Sequence, residues 1–125
     1  MASILVSEVD PDVRRLLVLL VERCGCSPVV LHPDVVIPPR ADALVVDPVS
    51  PVGIEHARLV RVFSPELPVI CLNSLPDAAR FLERGPTFFL PKPFAPEELT
   101  AVIETALGTG IPDSGDTRSS VVRMG

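Results

Sequence analysis

Five short apolar runs recur along this chain, at 3–7, 28–32, 43–47, 68–72 and 87–90, bounded by Pro, Gly or Asp. They lack the apolar/polar alternation of a half-solvated sheet, so they read as strands buried on both faces, the mark of parallel pairing. Parallel neighbours need crossovers, and the stretches between the runs supply them. Asp10, Pro11 and Asp12 read as an N-cap, a first helical position and an acidic first turn. Val13, Leu16, Leu17, Leu20 and Cys24 then form one stripe, and Gly25 stops the helix. A later helix is expected over 54–63, with Ile54, Ala57, Leu59, Val60 and Phe63 before Pro65. A short one is expected over 76–84, stopping at Gly85-Pro86. The last spans 96–107, opened by Pro96-Glu97-Glu98, with Leu99, Val102, Ile103 and Ala106 inward. Between the second and third runs, Pro33, Pro38 and Pro39 forbid a regular helix. The second crossover helix is therefore expected to be short or missing, an irregular loop or a single turn.

At 125 residues the chain is one domain with a single core, and 47% hydrophobic with 22% charged residues fits a folded rather than a disordered chain. The boundaries fall at 1–107 for the domain and 108–125 for a flexible, Gly-rich tail. A net charge of -5 argues against a nucleic-acid partner. No apolar run approaches bilayer length, so no membrane partner is expected. The N-terminus has no basic start and turns acidic at Glu8, unlike a signal peptide. Cys24, Cys26 and Cys71 are odd in number and scattered, as reduced thiols of a cytoplasmic protein are, with Cys71 in a core strand. A Cys24/Cys26 metal clip lacks a second ligand pair, His32 and His56 being isolated in sequence.

The strand ends carry the chemistry. Ala43-Leu44-Val45-Val46 closes on Asp47, and Phe88-Phe89-Leu90-Pro91 on Lys92. Open α/β sheets place their sites at the carboxyl ends of parallel strands, so an acid and an ammonium meet at one edge, an arrangement suited to an anion such as phosphate. These residues, together with Glu8-Val9-Asp10-Pro11, Pro51, Gly53, Pro68-Val69-Ile70-Cys71-Leu72-Asn73-Ser74 and Lys92-Pro93-Phe94, resemble the receiver domain of two-component response regulators over about residues 3–107. The resemblance implies a flavodoxin-like, doubly wound, five-stranded parallel sheet of order 2-1-3-4-5. It implies a signalling protein and not an enzyme, with Asp47 as phosphoacceptor: its carboxylate attacks the phosphoryl group of a phosphohistidine and becomes an acyl phosphate. It further implies Mg²⁺ held by Glu8, Asp47 and the Val49 backbone carbonyl, and Lys92 pairing with a phosphoryl oxygen. The Lys92–Pro93 bond is expected to be cis. The implied partners are a sensor histidine kinase or phosphotransfer protein and a downstream protein.

Several positions depart from the family pattern. Its adjacent pair of carboxylates after strand one is here Glu8-Val9, and valine cannot ligate a cation; Asp10 is expected to cap the helix instead. The metal site is therefore expected to be weak. The hydroxyl residue at the end of strand four is here Asn73, with Ser74 as a possible substitute, and the switch aromatic corresponds to Phe89, expected to stay packed. Asp47-Pro48-Val49-Ser50-Pro51-Val52-Gly53 is shorter than the family's loop and stiffened by Pro48. Two readings stay open: a stand-alone phosphoacceptor of a phosphorelay, and a phosphorylation-independent pseudo-receiver that acts as a protein-interaction module. A flavin carrier is disfavoured, since Glu8-Val9-Asp10-Pro11 would repel phosphate. Val18 and Leu19 fall off the core stripe of the first helix, either as scattered surface hydrophobes or as a docking or homodimer face.

Overall fold

The computed structural model describes residues 1–108 and the backbone of 122–124. β1 (Ser3–Ser7), β2 (Ser27–Val30), β3 (Ala43–Val46), β4 (Val69–Leu72) and β5 (Thr87–Leu90) pair in parallel in the order 2-1-3-4-5. A further strand, β6 (Val122–Met124), runs antiparallel along the outer edge of β5. It lies within the stretch expected to be a flexible tail, of which 109–121 and 125 fall outside the described residues.

Successive strand residues point to opposite faces, and each face is covered. Ile4, Val6, Val45, Ile70 and Leu72 pack on one side with Leu17, Leu20 and Val21 of α1 (Pro11–Arg23) and Leu99, Val102 and Ile103 of α3 (Pro96–Ala106). Leu5, Leu44, Val46, Val69 and Cys71 pack on the other with Ala57 and Val60 of α2 (Pro51–Phe63) and Ala79 and Leu82. Buried β-strands between two apolar layers explain the uninterrupted hydrophobic runs. The loop between β2 and β3 has no helix, only a turn in which the Val35 N–H donates to the His32 carbonyl at 3.0 Å.

The helix caps follow the sequence. The Asp10 carboxylate accepts from the Asp12 and Val13 N–H groups at 2.9 and 3.3 Å, and Gly25 ends α1 at φ 78°. On α1 the inward stripe runs through Leu17, Leu20 and Val21, while Leu16, expected inside, is exposed. α2 starts earlier than 54: the Ser50 hydroxyl accepts from the Gly53 N–H at 2.9 Å and Pro51 takes the first helical position. Its inward face includes His56 and Arg61, and Phe63 faces solvent.

The helix expected over 76–84 is instead a pair of 3₁₀ turns, Asp77–Arg84, broken at Ala79 (φ -113°, ψ 15°). No side chain caps its start. Its Leu82 carbonyl accepts from the Thr87 hydroxyl at 2.6 Å and from the Arg61 guanidinium at 3.3 Å, and the same guanidinium donates to the flanking carbonyls of Pro65, Leu67 and Pro86 and to the Thr87 hydroxyl at 2.6–3.2 Å. Free carbonyls of an irregular segment must find donors when buried, and Thr87 and Arg61 supply them at its end.

Candidate functional site

Parallel pairing brings the carboxyl ends of β1, β3 and β5 to one edge of the sheet. Ser7 is in register with Val46, so the residues that follow, Glu8 and Asp47, leave the sheet side by side, tied by the Asp47 N–H donating to the Ser7 carbonyl at 3.2 Å. Lys92 follows β5 across the Pro91 turn, and its bond to Pro93 is cis. Its ammonium sits between the two acids, 2.9 Å from Glu8 Oε1 and 2.8 Å from Asp47 Oδ2. The Glu8 side chain is 1% exposed, that of Asp47 12% and that of Lys92 24%.

Both carboxylate oxygens of Asp47 are engaged. The Val49 N–H donates to Oδ1 at 3.0 Å, closing a turn within the loop, and the Asn73 amide reaches both oxygens at 3.4 Å. Burial alone would raise the Asp47 pKa. The Lys92 bond, the Val49 N–H, the Lys92 charge and the Asn73 amide outweigh it and hold the acid below its ordinary value. Lys92 is the mirror case: burial works against its charge, yet Asp47 and Glu8 push its pKa up. Lys92 and Asp47 thus each favour the charged form of the other, and the three side chains close on themselves.

Glu8 also accepts from the Asp10 N–H at 3.1 Å, so its second oxygen is directed to the start of α1. Val9 is half-exposed, and Asp10 is spent on capping α1. Among the described residues no cluster of three or more His, Cys, Asp or Glu side chains could hold a metal. The carboxylates at this edge that could meet a divalent ion are those of Glu8 and Asp47. Mg²⁺ is commonly held by one or two carboxylates together with a phosphate, so these residues fit it at the lower limit of carboxylate number.

Two backbone features explain the local sequence. Asn73 sits at φ 90°, a left-handed conformation that asparagine tolerates and β-branched residues do not. The hydroxyl residue of the family pattern, when threonine, would be strained there. Gly53 lies against the Asp47 carbonyl, where an added Cβ would overlap that oxygen; the shortened loop closes only over a residue with no side chain.

A buried pair behind the acids was not foreseen, because His56 reads as isolated in sequence. His56 is 2% exposed, its Nδ1 lies 2.6 Å from the Ser7 hydroxyl and its Nε2 3.1 Å from the His32 carbonyl. A carbonyl only accepts, so Nε2 carries the proton and the Ser7 hydroxyl donates to Nδ1. Burial pushes the His56 pKa down despite the carbonyls of His32 and Pro33. The available signal was spacing: Gly53, His56, Ala57 and Val60 repeat at helical period. A cavity of about 150 Å³ lies beside the pair, with Glu8 and Arg14 also on its wall. Cys71 stands in the second layer, its thiol pushed up to about 12 by burial.

No family model matches the chain. Among curated proteins it is 34% identical over 94 residues to the response regulator MprA of Mycolicibacterium vanbaalenii, covering 71% of this chain and 41% of that protein. It is 39% identical over 79 residues to the response regulator MprA of Mycobacterium leprae, covering 59% of this chain and 35% of that one. The chain thus spans well under half the length of these curated relatives. Among solved structures it aligns with the receiver domain of the sensor histidine kinase PA1611 of Pseudomonas aeruginosa PAO1 (TM-score 0.65, 20% identity, 86% of this chain and 98% of that one), which carries a magnesium ion in its active site cleft. It aligns equally with the chemotaxis protein CheY4 of Vibrio cholerae (TM-score 0.68, 21% identity, 86% and 99%). At these identities the solved structures speak to the fold alone. Among the described residues no helix is long and apolar enough to cross a membrane.

Proposed function

Because the chain belongs to the response-regulator receiver domains, a family of two-component signalling, we propose that Asp47 is its phosphoacceptor, working through a metal site short of one carboxylate. The observation that carries this reading is the Lys92 ammonium held 2.8 Å from Asp47 Oδ2 and 2.9 Å from Glu8 Oε1 at the carboxyl edge of the sheet. An Asp47 oxygen attacks phosphorus, the P–N bond of a donor phosphohistidine breaks, and the departing imidazole keeps the electron pair and takes up a proton. Asp47 becomes an acyl phosphate. For that, Lys92 must release Oδ2 and turn to a phosphoryl oxygen, where its point charge offsets the added negative charge. The Asn73 amide, 3.4 Å from both Asp47 oxygens, would donate to the same group. Mg²⁺ would be held by Glu8, Asp47 and the Val49 carbonyl, and would screen the two anions from each other. The partners of this reading are a sensor histidine kinase or phosphotransfer protein upstream and a protein downstream.

A specific observation favours a second reading, a module that signals by docking without Asp47 chemistry. Both Asp47 oxygens are already bonded, its side chain is 12% exposed, and Lys92 supplies internally the positive charge that a metal would bring. One experiment separates the two. The chain is incubated with acetyl phosphate, or with beryllofluoride, at saturating Mg²⁺ and followed by intact mass and amide NMR. The phosphoacceptor reading expects a phosphoryl adduct lost in Asp47→Asn, and beryllofluoride-dependent shifts at Glu8, Asp47, Asn73 and Lys92. An unmodified mass with unmoved resonances would leave the docking module standing.

A further inference from the structure

On the opposite side of the second layer, α2 and the 3₁₀ segment enclose a groove of about 430 Å³ lined by Arg58, Arg61, Val62, Pro65, Phe81 and Arg84. Its chemistry runs against the chain's net charge of -5. Arg61 is only 9% exposed, and all its bonds go to neutral carbonyls and a hydroxyl. Its Nε is buried with no partner. Among the described residues no carboxylate lies within ion-pair distance of Arg61, and Glu66 acts on it only through its field. Buried charges are ordinarily paired, because an uncompensated one is costly. The groove therefore has a cation set into its wall that no described side chain neutralises.

The rim repeats the sign. Arg84 is exposed and makes no ion pair among the described residues. Arg58 sits over the Phe81 ring, its guanidinium carbon 4.7 Å from the centroid, and shares a loose 3.6 Å contact with the exposed Glu55. The remaining acids nearby, Asp77 and Glu83, are turned to Arg80. Between the guanidinium groups the surface is apolar: Val62 is 69% exposed, with the Pro65 ring and the Phe81 edge beside it. A concave site of this volume, with an apolar floor and a few convergent polar groups, is of the kind that takes one small molecule, whereas an extended peptide needs a longer trough or a sheet edge. Guanidinium forks select carboxylate and phosphate oxygens.

We propose that this groove binds a small organic phosphate carrying a flat ring, of mononucleotide size, with the ring against Phe81 and Val62 and the phosphate between Arg58 and Arg84. The site is separate from the Asp47 triad and needs no phosphorylation. The test is an amide NMR titration of the full chain with AMP and with GMP, against inorganic phosphate and adenosine alone. Either nucleotide is expected to move resonances at 58–65 and 81–86 while those of Glu8, Asp47 and Lys92 stay in place, and to bind at least tenfold more tightly than phosphate or adenosine. Arg84→Ala and Arg58→Ala are each expected to weaken the nucleotide about tenfold, the scale of one charged hydrogen bond, with unfolding midpoints unchanged because both side chains are exposed. Inorganic phosphate matching the nucleotide would overturn the proposal, reducing the groove to a general anion patch. Unchanged affinity in Arg84→Ala would overturn it too, as would an acidic peptide moving these amides while the nucleotides do not.

Discussion

At the scale of single residues, Lys92 holds two carboxylates that would otherwise repel across the sheet edge. Lys92→Met leaves Glu8 and Asp47 facing each other, both largely buried, with no counter-charge. The expected result is a loss of about 2 kcal/mol in urea unfolding at neutral pH, the scale of charge-assisted hydrogen bonds. Mg²⁺ should then restore stability to the variant more than to the parent, since ammonium and metal compete for the same oxygens. Equal Mg²⁺ response in both proteins would show that the ion does not sit between these acids. His56 gives a pH signature. Its folded pKa lies below the ordinary value near ~6.5, so the folded state takes up its proton less readily than the unfolded chain. The stability this contributes is present above that ordinary value and is lost as pH falls towards the folded pKa. Asp47, also lowered, follows the same sign at more acid pH, and Lys92, raised, loses its contribution only as pH climbs through its folded value. Thermal melts of the parent should therefore decline from about pH 7 to 5, and His56→Gln should flatten that decline; parallel curves for the two proteins would remove His56 as the cause.

At the scale of elements, the strands and two of the long helices were legible because their signals are local. Asp10-Pro11 and Gly25 bound α1, and uninterrupted apolar runs mark β1 and β3 to β5. Two things were not legible. The 3₁₀ segment carries helical composition, Asp77-Ala78-Ala79-Arg80-Phe81-Leu82-Glu83-Arg84, yet its Leu82 carbonyl is bonded from outside it, by the Thr87 hydroxyl and by Arg61 on a different element, 21 residues away in sequence. Pairing at that separation leaves no trace in local periodicity. The inward turn of Arg61 was missed for a related reason: a charged residue reads as solvated unless its acceptors are known. Gly85 is where this coupling can be probed. A Cβ there would lie 2.7 Å from the Pro65 carbonyl and hard against the Arg61 guanidinium. Its φ of -139° is open to any residue, so the cost is purely of space. Gly85→Ala is expected to lose about 1–3 kcal/mol, as overpacked sites do. Hydrogen exchange should show that loss concentrated in 77–87; uniform weakening across the sheet would mean that Arg61 does not govern this segment.

At the scale of the whole molecule, the two layers differ in kind although both are apolar. α1 and α3 present regular helices to one face of the sheet, while the other face is covered by α2, the 3₁₀ turns and a β2–β3 loop without a helix. The acid site sits on the edge common to both, so its geometry rests on strands that neither layer can release alone. The convergence of the candidate residues Glu8, Asp47, Asn73 and Lys92 was readable from the sequence because they follow the ends of strands. The bonds among them were not readable, since how tightly Lys92 closes on Asp47 depends on side-chain reach across three strands. The layers make a direct comparison possible with one substitution. Leu17 and Leu82 are both 0% exposed, one on α1 and one in the 3₁₀ segment. Leucine-to-alanine costs range over about 2.7–5 kcal/mol, according to how far the surroundings collapse into the cavity. A regular helix packed against a neighbouring helix has little room to settle, so Leu17→Ala belongs at the upper end. Turns broken at Ala79 can close on the space, so Leu82→Ala belongs at the lower end, provided Arg61 keeps its carbonyl partners. Urea midpoints of the two variants test the order. A larger loss at Leu82 would mean that the irregular layer is the stiffer one, clamped by Arg61 more firmly than a helix is by its own hydrogen bonds.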